Sequence, residues 1–376
     1  MRPLGLYLHI PFCLSKCRYC DFCSLPHPKK ENVAAYISKI NNEICEYGEL
    51  YREYNINTVY FGGGTPTLLK ASELTSLLFT VKESFRLSND AEITAECNPA
   101  TADKKYFEEM LGAGFNRLSI GVQSMVDREL KLLGRLHSAE DAKKAVVDAK
   151  DAGFKNLSVD VMFGIPEQTR ESLSYTIDRL AELNPNHFSL YGLKIEDGTH
   201  FARHRGELAL PDEDTECEMF NDSAKKLSSL GYDRYEISNF AKDGFESRHN
   251  LKYWKREDYL GIGAAAHSCV GNRRFFATSD VNAYLSGKSV EGEEILSPHD
   301  ILCEKIMLGM RLSRGVDFNA LEKEHGSVVK VYENGLEKYI SGGFVVKKDG
   351  ALAFTDKGAY VSNYILSDIL DFEEKN

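Results

Sequence analysis

Six short strand-like runs alternate with long amphipathic stretches through the first half of this chain, and that alternation limits the fold more than any other feature. The strand patterns cover residues 6–10, 58–61, 92–97, 117–122, 157–163 and 187–193. The helical patterns lie near 33–54, 72–85, 103–112, 139–152 and 171–183. Gly114 and Gly153 each follow a helical pattern and precede a strand, where helices stop. Parallel strands need crossovers of this length, so the pattern predicts repeated βα units. Six units fall short of the eight of a closed barrel. The expected fold is α/β, a partial (β/α)6 barrel open along one side. Barrel chemistry sits at the C-terminal ends of the strands. Polar residues fall there: Gly62, Gly63, Gly64 and Thr65 after the second strand, Glu96 in the third, Gln123 after the fourth and Asp160 in the fifth.

The pattern changes after Leu193. Residues 212–231 read as a helix with Gly231 as its stop, and 235–240 as a strand. Residues 297–376 read as a small separate α+β unit, with helices near 300–312, 317–324 and 356–370. Between them, Lys348-Asp349-Gly350 signals a hairpin within 344–354. Helices plus a hairpin resemble a winged helix. The expected organisation is a barrel over 1–230, a connecting region over 231–296 and a C-terminal domain over 297–376. With 376 residues there is room for all three. Charge argues against nucleic acid as a partner. The chain holds 46 basic and 57 acidic residues, and its last 80 residues are also net acidic, whereas phosphate contacts need Lys and Arg. No apolar run approaches the roughly 18–20 residues that span a bilayer. The start, through Phe12, is too short for a secretory signal before Cys13 intervenes. A cytoplasmic protein is expected.

Four of the nine cysteines, Cys13, Cys17, Cys20 and Cys23, sit within eleven residues. In a reducing compartment such a cluster points to a soft metal rather than to disulfides. Cys13, Cys17 and Cys20 form CxxxCxxC on one loop directly after the first strand. Three thiolates on a four-iron cluster leave one iron open; a zinc site completed by Cys23 or His9 is the other reading. The glycines at 62–64 let backbone approach a ligand, or simply make a tight turn. Glu96, Gln123 and Asp160 can accept hydrogen bonds, and Arg135 can meet a carboxylate.

The run from Tyr7 to Cys20, with His9, Pro11, Phe12 and Tyr19, strongly resembles the radical S-adenosylmethionine (SAM) superfamily. It is most similar to the branch of the oxygen-independent coproporphyrinogen oxidases. Gly62-Gly63-Gly64-Thr65-Pro66 and Gly121-Val122-Gln123 extend the resemblance. It implies a [4Fe–4S] cluster held by Cys13, Cys17 and Cys20. It also places Tyr7, Tyr19, Gly63, Gly64, Thr65, Glu96, Gln123, Arg135 and Asp160 on SAM-contacting positions. The oxidase itself would carry a cysteine two residues after Cys20, where this chain has Phe22, and a longer N-terminal extension than the six residues before Tyr7. A second segment, His249-Asn250-Leu-Lys-Tyr253-Trp254, matches the HNxxYW motif of the heme chaperones of this branch. On a helix, His249 and Tyr253 share one face, and Asn250 and Trp254 another. Imidazole can ligate heme iron, and aromatic rings can cover the macrocycle. His267, among small residues, is a further candidate ligand. The resemblance implies a heme chaperone that hands heme to an acceptor heme protein at a membrane, with homodimerisation and peripheral membrane association. The alternative is oxidative decarboxylation of coproporphyrinogen III, so the resemblance leaves open whether the chain is an enzyme.

Overall fold

A computed structural model of the chain describes residues 1–287 and 290–371. Six parallel strands form the centre: β1 (Arg2–Ile10), β2 (Tyr54–Gly63), β3 (Leu87–Cys97), β4 (Arg117–Gln123), β5 (Leu157–Phe163) and β6 (His187–Gly192). Their crossovers carry α1 (Lys30–Leu50), α2 (Ala71–Ser84), α3 (Lys104–Ala113), α4 (Asp127–Leu133), α5 (Ala139–Asp151) and α6 (Arg170–Glu182). The partial barrel is therefore as the βα alternation requires. Strand periodicity sorts its faces. Leu4, Leu6, Leu8 and Ile10 of β1 are fully buried against the helices, so Tyr7 and His9 point to the other side, into the barrel. Ser138 with Asp141 and Thr169 with Ser172 box-cap α5 and α6. Gly114 closes α3 with φ +110°, a conformation that costs glycine little.

Several boundaries differ from the sequence pattern. Helix α1 ends at Leu50, not near Tyr54, because Tyr54 opens the apolar alternation of β2. The short helix α4 was not expected. After α7 (Glu213–Ser229) the expected single strand over 235–240 is two short ones, β7 (Asp233–Arg234) and β8 (Asn239–Ala241). Between them the chain turns, and the Tyr235 hydroxyl bonds the His187 ring at 2.8 Å. Helix α8 (Arg248–Trp254) follows, and then four unanticipated strands: β9 (Tyr259–Ile262), β10 (His267–Val270), β11 (Arg273–Ala277) and β12 (Val290–Ile295). Strand β9 runs parallel beside β1, and β10 to β12 add on antiparallel. The described residues thus form a twelve-stranded sheet in the order β12-β11-β10-β9-β1-β2-β3-β4-β5-β6-β8-β7.

The C-terminal segment builds a second apolar core of its own. It comprises α9 (Pro298–Gly309), α10 (Phe318–His325), α11 (Val329–Ser341) and the hairpin of β13 (Val345–Lys348) and β14 (Ala351–Phe354). Asp349 and Gly350 both take positive φ, as a two-residue hairpin turn demands. The helix expected over 356–370 is broken at Val361 into α12 (Asp356–Tyr360) and α13 (Ser362–Ile369). Glu304 of α9, 8% exposed, takes Arg256 at 3.0 Å and also pairs with Arg274, tying α9 to the flank of the sheet. Among the described residues, no helix is long and apolar enough to cross a membrane.

Candidate functional site

The cysteine loop leaves β1 and is stitched to the rim of the barrel by backbone. Gly64 N donates to Ile10 O and Thr65 N to Phe12 O, both at 2.8 Å, and Arg18 N donates to Leu133 O of α4 at 3.0 Å. Cys13, Cys17 and Cys20 are free thiols and line one cleft of about 430 Å3 at the C-terminal ends of the strands. Cys13 Sγ lies 3.7 Å from the Thr65 hydroxyl, and Arg135 Nη1 lies 3.5 Å from Cys17 Sγ. Burial pushes the Cys20 thiol up to about 11. Cys23, in contrast, donates to Ser279 O at 3.2 Å and faces a neighbouring cavity.

The barrel wall of that cleft is polar. Glu96 accepts from the Tyr60 hydroxyl at 3.0 Å and from Gly63 N at 3.1 Å. Burial, reinforced by nearby Asp160, pushes its carboxyl up to about 7. Asp160 takes the Ser119 hydroxyl at 3.1 Å, and burial raises its carboxyl too. Arg135 donates through Nη2 to Gly121 O at 2.6 Å, while its buried Nε has no partner among the described residues. Gln123 sits at φ +70°, where the β4–β5 register slips. A non-glycine residue held there signals a position the surroundings over-determine. Tyr19, Gly63, Gly64 and Thr65 also line it.

Two sequence expectations change in detail. The glycines are needed for protein packing before any ligand arrives: a Cβ on Gly63 would strike the His9 ring, and one on Gly64 would lie 2.7 Å from Phe12 O. Tyr7 does not line this cleft. Its hydroxyl pairs with His9 Nδ1 at 3.1 Å, and it faces a cavity of about 800 Å3 on the far side of the cysteine loop. Lys16, Asp21, Phe22 and Ser24 line both spaces, so that loop is the partition between them.

Helix α8 carries the HNxxYW residues, and its own turn separates them. Glu92 of β3 accepts from His249 N at 3.0 Å and Arg248 N at 3.1 Å, fixing the helix N-terminus against the barrel. His249 is buried, with Nδ1 2.8 Å from the Thr58 hydroxyl and Nε2 2.8 Å from the Tyr253 hydroxyl. The Tyr60 ring stacks on it at 5.1 Å. Burial, helped by Lys252, holds its pKa down at about 3, so the ring is neutral. Asn250 lines the cysteine cleft. Tyr253 lines the 800 Å3 cavity together with Tyr7, Tyr259 and His267. Trp254 lines a third cavity of about 470 Å3 beside α13, with Arg311 6.0 Å over its ring. His267 stacks on Phe276 at 5.1 Å.

Arg117, Ser119, Tyr60 and Tyr191 also line the cleft, and the sequence reading had not singled them out. The signal was present in β4. Arg117, Ser119, Gly121 and Gln123 alternate with Leu118, Ile120 and Val122, so every inward position is polar or glycine.

A model of the radical SAM superfamily matches residues 7–180, and one of the HemN C-terminal domain matches 296–361. Proteins named heme chaperone HemW are similar over nearly the whole chain. Those of Haemophilus influenzae and Escherichia coli K12 are each 34% identical, with 97% of both chains covered. That of Bacillus subtilis is 33% identical over 97% of this chain and 98% of its own. The solved structure of coproporphyrinogen III oxidase (HemN) from Escherichia coli superposes with a TM-score of 0.85 over 98% of this chain and 90% of that one. Its 24% identity speaks for the fold alone. The superfamily implies a [4Fe–4S] cluster and SAM. The residues here fit both groups: three free thiols share one loop and one cleft, and an unpartnered buried Arg135 Nε stands beside them. By identity sustained over 97% of its length, the chain belongs to the HemW family of heme chaperones, within the radical SAM superfamily.

Proposed function

We propose that this chain binds heme and transfers it to an acceptor heme protein, on a scaffold holding a [4Fe–4S] cluster and SAM. Full-length similarity to proteins named heme chaperones is the observation that carries the reading. Cys13, Cys17 and Cys20 would hold the cluster, and SAM would bind beside it in the same cleft. Tyr19, Gly63, Gly64, Thr65, Glu96, Gln123, Arg135 and Asp160 surround SAM, while Tyr7 acts from behind the cysteine loop. When bound, cluster and SAM supply one-electron chemistry. The protein's part is to position them and exclude water. We read 1–230 as the scaffold, 231–296 as the heme-binding segment and 297–376 as a packing domain. The acceptor lies at a membrane, which the chain meets peripherally, and a homodimer is the working unit.

Heme enters the 800 Å3 cavity, whose size suits a cofactor and whose wall carries Tyr7, Tyr253, Tyr259 and Phe22. Lys16 on its rim offers a cation to a propionate. His249, buried behind Tyr253 and outside the lining of that cavity, becomes the iron ligand through Nε2. It is neutral, as ligation requires, and Tyr253 must first release that nitrogen. The cysteine loop walls both spaces, so a shift of that loop would reach both.

An anaerobic hemin titration, followed by absorption spectroscopy, tests this. Wild type shows a stoichiometric Soret shift, His249→Ala binds at least about tenfold more weakly, and Tyr253→Phe binds faster. Absence of a shift in wild type sinks the heme reading. An unchanged spectrum in His249→Ala moves the ligand elsewhere and leaves heme binding standing.

Glu96 gives a pH test of the SAM site. Its carboxyl is protonated well below about 7 and ionised above, and only the ionised form accepts from two ligand N–H or O–H groups. SAM affinity rises roughly tenfold from pH 6 to pH 8 through this group, and Glu96→Gln loses that rise. The ligand's own amine titrates in both proteins, so their difference isolates Glu96. Parallel pH profiles would remove Glu96 from the contact.

A further inference from the structure

The C-terminal unit brings together a second set of soft-metal donors, remote from the barrel cleft. His299 and Cys303 stand four residues apart on one face of α9. Asp371, 68 residues beyond Cys303, returns the chain to them. His299 Nε2 is 3.6 Å from Cys303 Sγ and 3.6 Å from Asp371 Oδ1. The three donor atoms all lie within 4.8 Å of one another. Zinc bonds of about 2.0–2.3 Å to N, O and S in a tetrahedron set ligand-to-ligand edges of roughly 3.3–3.6 Å. Two of the three separations therefore already match, and the third needs only a turn of the exposed Asp371 side chain.

We propose that His299, Cys303 and Asp371 form a zinc site. Thiolate, imidazole and carboxylate together select a zinc-class ion over calcium or magnesium, which take oxygen alone. On binding, the Cys303 thiol proton leaves to solvent. The His299 proton moves from Nε2 to Nδ1, which faces the Tyr332 hydroxyl at 3.5 Å. Tyr332 Oη also lies 3.6 Å from Cys303 Sγ and 3.1 Å from Asp371 Oδ1, so it supports two ligands from behind. The fourth position is left to water, and the Asp371 carbonyl, now 2.6 Å from His299 Nε2, gives up that nitrogen to the ion. The ion clasps the segment after α13 to the first helix of this unit. Asp371 lies beyond the matched HemN C-terminal domain.

The test loads the full-length, cluster-reconstituted protein with zinc alone, dialyses it against a weak chelator and counts metal per chain. One zinc stays with wild type, and X-ray absorption at the zinc edge reads one sulfur with N/O neighbours. His299→Ala and Asp371→Asn, both at partly exposed side chains, hold zinc at least about tenfold more weakly while their circular dichroism is unchanged. Cys303→Ser loses the sulfur signal. The chain with Cys13, Cys17 and Cys20 replaced by alanine keeps its zinc, which separates this site from the cluster. Failure of wild type to retain zinc, or equal retention by His299→Ala, overturns the proposal and leaves a plain hydrogen-bonded cluster.

Discussion

Replacing Cys13, Cys17 and Cys20 together by alanine removes all cluster iron and the charge-transfer absorbance that goes with it. Each thiolate supplies one iron bond. Thr65 and Arg135, in contact with Cys13 and Cys17, bring a hydroxyl and a guanidinium, neither of them an iron ligand. SAM binding is expected to fall with the cluster. Iron and sulfide per chain, measured after anaerobic reconstitution, read the result. A full complement of iron in the triple variant would sink the ligand assignment. Cys23→Ala is the control. Its thiol points to Ser279 O across the other cavity, so iron content stays at the wild-type level.

Gly64→Ala detaches the cysteine loop without touching a cysteine. The new Cβ would lie 2.7 Å from Phe12 O, 2.8 Å from Pro11 C and 2.9 Å from Ile10 O. All three are backbone atoms of the segment leading into the loop, so no flexible side-chain tip can swing aside. Either the 2.8 Å bonds from Gly64 N and Thr65 N lengthen, or the loop moves off the rim. Overpacking of this kind costs about 1–3 kcal/mol. We expect a lowered denaturant midpoint and a cluster content cut by more than half, with helical circular dichroism retained. Wild-type iron content at wild-type stability would show that the rim is softer than these contacts imply.

The outcome at β1, β4 and the cysteine loop shows how much of the site could be read from residues. Alternation along a strand is local chemistry. Leu4, Leu6, Leu8 and Ile10 had to share a face, and so did Arg117, Ser119, Gly121 and Gln123. Loop spacing likewise keeps Cys13, Cys17 and Cys20 together, whatever the rest of the chain does. The four strands from β9 to β12 were not legible. They are four to six residues long, and β12, as an exposed edge, has no buried stripe to announce it. Helix α11 buries one face on the second core, but no side-chain cap marks its start at Val328.

Residue spacing alone determined the six βα units, the inward polar layer of the barrel, the three-thiol loop and the pairing of His249 with Tyr253 on one face of α8. Each depends on periods of two or 3.6 residues, or on a few covalent links. Only the tertiary structure decided which space each group meets. Tyr7 turns from the cysteine cleft to the larger cavity, Asn250 and Trp254 face different cavities from one helix, and His249 is locked between Thr58 and Tyr253. A period assigns a side chain to a face. The partner across that face comes from strands and helices far apart in the chain, whose register and docking no local pattern records.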